Sequence, residues 1–497
     1  MGRHFKASVS HKKDHRSQMR HGIIFVLATI LLSIHLIGCA TVERPPSEAI
    51  MGYPPNVQIG EELTFFNFNE WDPYGVTSLI DTDGRAHVFA IDSNDQLNHI
   101  EILGDNSITI ESLGLIEKED DVVLIDAIEH PVGTIRVLAS DKQYIRTSPD
   151  SGWREMEGNR CARFVSGGDD LFCAFVTKGE EISTPKRKDV TAGLFVILPL
   201  FWWKNVDVAK LVLAQETTDG WVIKAVFDQD TDRDANNGFI MGCDNNGKIH
   251  FLYYTSKGGS WWWFMAGGYS ADLIGGSLHS PELRYAQVDI AQLSQQDTAD
   301  THDQSLTQEM ESKVWIPVNG TTLTYLPFAD SIKYGYTEEY DLYPLLNDFA
   351  VNKVTGDIEG FMRRDITEGF LKDYFAYLDI AIHEGQWSPS YRIIDFKEFV
   401  PEEYGSIYAR ILTLKKDLKG NSHILTYGTK GFWNNECSLS YLVKEDNKWS
   451  DPLMLGNYCF RYPLLAVDQD GLLFATYVNR EGKLTGRWIR PRTDNHQ

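Results

Sequence analysis

Positive charge is scarce in this chain. Its 497 residues carry 47 Lys and Arg against 70 Asp and Glu, a formal charge of −23. Arg3, Lys6, Lys12, Lys13, Arg16 and Arg20 all fall in the first twenty residues, so the remainder is more acidic still. Such a body repels phosphate backbones, which excludes nucleic acid as a partner. Cysteine is sparse too. The six present show no Cys-x-x-Cys or His-rich spacing, so structural zinc is not expected. Beyond residue 38 no apolar run is long enough to span a bilayer; even Ala192–Trp203 is short and broken by Pro199. Little of the chain has the 3.6-residue periodicity of an amphipathic helix, which argues against a helical bundle.

At the N-terminus a basic stretch precedes an apolar run, Gly22 to Gly38, the layout of a secretory signal. The run ends in Leu36-Ile37-Gly38-Cys39, which resembles the lipobox of bacterial lipoproteins. That resemblance implies a signal peptide over 1–38, cleavage after Gly38, and acyl chains on Cys39 that hold the protein to a lipid bilayer. Ala40 follows the cysteine where an inner-membrane retention signal has Asp, so the expected address is the bacterial cell envelope, with the outer membrane favoured. Residues 39–56, with Pro45-Pro46 and Pro54-Pro55, read as a stiff linker to a folded body over 57–497.

In the body, short runs rich in Val, Ile, Tyr, Phe and Trp alternate with turn residues, and a motif recurs. Asp81, Gly84 and His87 stand three residues apart, as do Asp244, Gly247 and His250, and Asp417, Gly420 and His423; Asp468 and Gly471 repeat the first two. Looser copies centre on Gly133, Gly168 and Gly356. Asp caps such a turn and Gly supplies its left-handed residue. A third strand follows in most units, among them LNHIEI (97–102), LRYAQVDI (283–290) and SLSYLV (438–443), and Trp153, Trp221, Trp387 or Trp449 stands near the end of several. The spacing predicts an all-β fold, a β-propeller of about seven (six to eight) four-stranded blades. The last blade is short and is expected to be completed by a strand near Leu63–Phe68, and a polar insertion is expected around 291–312 within the fourth blade. Ser148-Pro149-Asp150-Ser151-Gly152-Trp153 resembles the Asp-box of sialidase-like propellers, with its Trp two residues early. Cys161 and Cys173, flanking Gly167-Gly168, are candidates to bridge a hairpin, and Cys437 and Cys459 to bridge neighbouring strands, which leaves Cys243 over.

The loops between second and third strands would leave the disc on the face opposite the Asp turns. In blade three that loop holds Lys186-Arg187-Lys188 and then Trp202 and Trp203; in blade four it holds Trp261, Trp262 and Trp263; in blade six, Phe432 and Trp433. These seven aromatics are the candidate binding residues, since exposed apolar patches on soluble domains mark interaction sites. The expected function is a membrane-anchored propeller that binds an envelope protein or a glycan. The alternative is a sialidase-like carbohydrate-active enzyme. For it, Phe460-Arg461-Tyr462-Pro463 resembles the substrate-arginine segment of sialidases but lies at the wrong end of the repeat, and no catalytic residue is assigned. His87, His250 and His423 belong to different blades and radiate apart, so hydrogen bonding between blades, not a shared metal, is expected of them. Asp228, Asp230 and Asp232 imitate a calcium loop without its Gly (Arg233 stands there) or its final Glu (Phe239), so calcium would have a looser site there and no other cofactor is expected.

Overall fold

The computed structural model describes residues 52–492 apart from 69–74, 117–124, 140–141, 157–160, 177–200, 206–207, 219, 233–238, 256–258, 265–272, 278–281, 295–315, 319–320, 323–348, 368–372, 384–385, 388–391, 396–398, 402–403, 405–408, 431–436, 447, 457–462 and 469. Two compact units divide the chain: Met1–Pro46 with Ile366–Tyr374, and Ser47–Asp365 with Phe375–Gln497. The second is the body described below.

Two short strands come first, β1 (Val57–Ile59) and β2 (Leu63–Asn67). Blade one is β3 (Val76–Ile80), β4 (Ala86–Ile91), β5 (Gln96–Ile102) and β6 (Ile108–Leu115). Blade two is β7 (Ile125–Glu129), β8 (Ile135–Ala139), β9 (Lys142–Arg146) and β10 (Arg154–Met156). In blade three, β11 (Arg163–Gly167) and β12 (Asp170–Val176) are followed by β13 (Phe201–Asn205), which leaves the blade, before β14 (Val208–Thr217) and β15 (Gly220–Asp232) complete it. Blade four has β16 (Phe239–Cys243) and β17 (Lys248–Thr255), then β18 (Gly259–Phe264) and β19 (Leu273–Ser277) outside the blade, then β20 (Glu282–Asp289). A single helical turn, α1 (Ile290–Ser294), leads toward β21 (Ile316–Val318) and β22 (Thr321–Thr322). β21 pairs in parallel with β15 of blade three, and β22 closes blade four on β20. The predicted insertion lies, beyond α1, almost wholly outside the described residues. Blade five is β23 (Phe349–Val351), β24 (Ile358–Thr367), β25 (Asp373–His383), β26 (Gln386–Trp387) and β27 (Arg392–Asp395). Blade six is β28 (Ala409–Lys416), β29 (Ser422–Thr429), β30 (Cys437–Glu445), β31 (Lys448–Trp449) and β32 (Leu453–Gly456). β33 (Leu464–Val467), β34 (Leu473–Val478) and β35 (Lys483–Pro491) begin blade seven.

The N-terminus finishes it. β1 and β2 both pair antiparallel with β35, Val57 opposite Pro491 and Leu63 opposite Gly486. The expected closing strand is therefore present, joined by a second. The first strands of the blades touch in the order β3, β7, β11, β16, β23, β28, β33, and β33 returns to β3. Seven sheets thus form a closed ring, a β-propeller whose terminal edges are joined to each other rather than left open.

Burial follows position in the blade. β4 and β34 are buried at every residue, whereas β6 is mostly exposed. Second strands are sandwiched between neighbouring blades, so both of their faces are apolar and the sequence reads as a continuous run. In β4 the alternate residues Ala86, Val88 and Ala90 pack with Phe474 and Trp488 of blade seven, while Phe89 and Ile91 pack with Val137 and Tyr144 of blade two. The core is thus a set of wedges between blades.

The turns that gave the register explain their own residues. Asp244 Oδ1 accepts hydrogen bonds from the amides of Asn246 and Lys248 at 2.9 Å, and Asp81 Oδ1 does the same for Asp83 and Arg85. Gly356 sits at φ +76°, and a Cβ there would lie 2.8 Å from both Asp244 Oδ2 and His250 Nε2 of the preceding blade. Gly356→Ala therefore meets strain in its backbone and crowding across a blade interface at once. It should lower the unfolding free energy by roughly 1–3 kcal/mol in equilibrium denaturation; a change within 0.5 kcal/mol would show that this turn is not held against blade four. The Cys161–Cys173 disulfide spans the β11–β12 hairpin, Cys437 is also disulfide-bonded, and Cys243 is free and half-buried.

Candidate functional site

The aromatic insertions of blades three and four form a sheet of their own. β13 runs between β12 and β14, and β18 and β19 run between β17 and β20, so both insertions are second-to-third-strand connections, on the side away from the Asp turns. They pair in the order β13-β18-β19. Trp202 stands opposite Trp262, Trp203 opposite Trp261 and Phe201 opposite Trp263. On the far side Gly275 and Gly276 stand opposite Trp262 and Trp261. Cys39, Lys186-Arg187-Lys188, Phe432, Trp433, Cys459 and Arg461 lie outside the described residues. Asp228, Asp230 and Asp232 fall within β15.

The repeated histidines are tied within their own blades, which corrects the expectation of bonds between blades. Nε2 of His87 meets Asp81 Oδ2 at 3.0 Å, that of His250 meets Asp244 Oδ2 at 3.2 Å, and that of His423 lies 3.5 Å from Asp417 Oδ2. On the other ring nitrogen, Nδ1 pairs with His99 Nε2 at 2.9 Å, Tyr285 Oη at 2.7 Å and Tyr441 Oη at 2.8 Å respectively. Each imidazole therefore links the end of the first strand to the third strand. What crosses the interface is the next blade's glycine, Gly356 against Asp244 and His250, and Gly471 near Asp417. The reason is geometric: a residue three after the turn Gly lies within reach of its own turn Asp, and both are buried, where polar groups pair.

In blade one the link has a histidine where the others have tyrosine, and this brings His87, His99 and Glu101 together with ligand atoms within 4.8 Å of one another. Sequence reasoning missed His99 and Glu101. The signal was there, because aligning the third strands puts His99, Tyr285 and Tyr441 in one column. As a metal shell the trio fits poorly. Two imidazoles on one tetrahedral zinc, with Zn–N about 2.0–2.1 Å, hold their nitrogens about 3.3 Å apart, whereas His87 and His99 are at hydrogen-bond distance and His87 Nε2 is taken by Asp81. Glu101 is already faced by Arg146 at 2.9 Å and Arg85 at 3.5 Å. His99 stacks on Phe89 with ring centroids 4.9 Å apart and meets Trp153 edge-on at 5.0 Å. Burial, reinforced by the charges of His87 and Arg146, pushes His99 down to about 2, so its ring is neutral. The cluster is a satisfied polar network inside the blade one–blade two wedge, and Trp153 of the Asp-box-like segment is part of that wedge.

No family model matches the chain, and no curated protein does either. Among solved structures the chain is similar to a fungal alcohol oxidase of the AA5 family in complex with copper (TM-score 0.41, 9% identity, covering 88% of this chain and 76% of that one). It is also similar to a PL25 ulvan lyase bound to -[GlcA(1-4)Rha3S]- (0.41, 8%, 89% and 96%). A third is the Aleuria aurantia lectin in complex with Fucα1-6GlcNAc (0.34, 10%, 79% and 98%). At these scores none lends its activity to this chain.

Proposed function

We propose that the protein is a lipid-anchored propeller of the bacterial cell envelope, held to the bilayer through Cys39, that binds an envelope protein or a glycan through the aromatic sheet β13-β18-β19. One observation carries the reading: connections from two neighbouring blades pair with each other outside the blades, in a register that sets Trp202 opposite Trp262 and Trp203 opposite Trp261. Aromatic residues gathered in two paired connections outside the blades suit a contact surface. The lipobox-like segment and the hairpin disulfide both suit an exported protein, and among the described residues no helix is long and apolar enough to cross a membrane.

Crosslinking and affinity capture of the full chain from intact envelopes, run beside a glycan-array screen, tests this. Saturable capture of one protein or one glycan class is expected, and which assay responds decides between the two kinds of partner. Silence in both would overturn the reading.

A further inference from the structure

The sheet of blade one ends differently from the others. Its outermost strand, β6, runs for eight residues. Among the described residues the outermost strands of the other blades, β10, β21, β22, β26, β27, β31, β32, β1 and β2, have two to five. Short strands are one way to blunt a sheet edge, and charge and proline are others. β6 uses none of them. It holds no proline and a single charged residue, Glu111, and residues 108–112 are exposed without a break. Two of these are large and apolar, Ile108 at 38% and Ile110 at 47% exposure.

The ladder with β5 fixes what this edge offers. The Leu103 amide donates to the Ser107 carbonyl at 3.0 Å, and along an antiparallel pair hydrogen-bonded and open positions alternate. Thr109 and Glu111, opposite Glu101 and His99, therefore direct their backbone groups to β5, while Ile108 and Ile110 direct theirs outward. The side chains follow the same register. Ile108 stands opposite Ile102 and Ile110 opposite Ile100, and both β5 isoleucines are fully buried in the wedge between blades one and seven. The exposed pair thus continues a core face past the end of the sheet.

The strand that best extends this face is β6 itself. Of the antiparallel registers about a two-fold axis, one centred on Glu111 opposes two carboxylates, one centred on Ile110 sets Ile108 against Ser112, and one centred on Ile108 carries Ile110 to the turn at Asn106. Centred on Thr109, the register sets Ile108 opposite the copy's Ile110 on both sides of the axis. Two rows of four isoleucines then cross the junction, each made of Ile102, Ile108 and the copy's Ile110 and Ile100. Thr109 meets Thr109, and Glu111 meets Ser107 instead of another acid.

We propose that β6 is a dimerisation edge, pairing antiparallel with β6 of a second copy about a two-fold axis through Thr109. The interface is isologous, as a two-fold requires, and a single strand pair makes it a weak, reversible dimer at the low end of specific interfaces. It draws on none of the aromatic sheet, so either can fail alone.

Mild oxidation of the purified full chain in detergent, carrying one added cysteine, tests the register. Thr109→Cys sets two thiols on opposite, non-hydrogen-bonded positions with Cα atoms about 4.5 Å apart, within disulfide reach. In Glu111→Cys the two positions are four residues apart along the ladder, about 13 Å. Both residues are exposed, which spares the fold. A reducible dimer is expected to form at least tenfold faster in Thr109→Cys than in Glu111→Cys or the unsubstituted chain. Sedimentation equilibrium is expected to show concentration-dependent dimers, weakened at least tenfold in Ile110→Lys. Equal crosslinking of the two cysteine variants, a chain that stays monomeric at every concentration, or dimers that Ile110→Lys leaves intact would each overturn the assignment.

Discussion

Trp488→Ala should cost this protein about 3–5 kcal/mol of unfolding free energy, the range for emptying a large buried aromatic site. Trp488 is 1% exposed and meets Phe474 edge-on with ring centroids 4.9 Å apart. Its indole N–H has no hydrogen-bond partner among the described residues, so the loss is one of packing and of the Arg490 guanidinium 5.3 Å over the ring. The position is what makes the cavity costly. Trp488 lies on β35, the strand that receives both N-terminal strands, and its carbonyl accepts the Gly60 amide at 2.8 Å. The same side chain packs in the wedge between blades seven and one, with Val88 and Ile100. A void there loosens the point where the ring closes, and β1 and β2 should release before the rest. Urea denaturation followed by tryptophan fluorescence and far-UV circular dichroism measures the loss; a change below about 1 kcal/mol would mean that closure does not depend on this contact.

The second large effect is acid sensitivity with an onset well above the carboxylate range. His99 is held far below its ordinary value, first by burial and then by the charges of His87 and Arg146, and burial lowers His250 as well. A depressed folded value means that the unfolded chain takes up a proton where the native one does not. Stability is then complete above the unfolded value near 6.5 and falls as pH drops below it, by up to about 1.4 kcal/mol per pH unit for each such histidine. The turn carboxylates act later and in the same direction. Burial raises Asp81, but hydrogen bonds from His87 and the Arg85 amide outweigh it, and Asp244 and Asp417 are lowered in the same way, so their contribution is present above about 4 and lost below. His99→Tyr copies blades four and six, where a phenol meets the same imidazole nitrogen. It should flatten the decline between pH 6 and 4 while keeping most of the stability at pH 7.5. An unchanged slope would show that His99 is not the group responsible.

What was legible in the sequence was what each blade does locally. Asp244, Gly247 and His250 recur because one turn needs a cap, a left-handed residue and a buried partner for the cap, all within seven residues, and so a repeat of about seven blades, between six and eight, and a closing strand near Leu63–Phe68 could be read. Contacts made between blades left weaker traces. The pairing of Trp202 with Trp262 joins two loops of different blades, and periodicity says nothing about which loops will share hydrogen bonds. His99 was visible only once the third strands were placed in one column, and the expected bonds between blades proved to run within them because Asp and His of one turn already satisfy each other.

The central claim is that the β13-β18-β19 sheet is a contact face, and its direct test is the full chain carrying Trp202→Ser, Trp203→Ser, Trp261→Ser and Trp262→Ser in the capture and glycan assays. The account expects partner binding to be lost by at least tenfold, with the denaturation midpoint and far-UV spectrum of the blades unchanged. Binding retained at the level of the unsubstituted chain would contradict it, and so would unfolding of the blades, which would make the sheet part of the core.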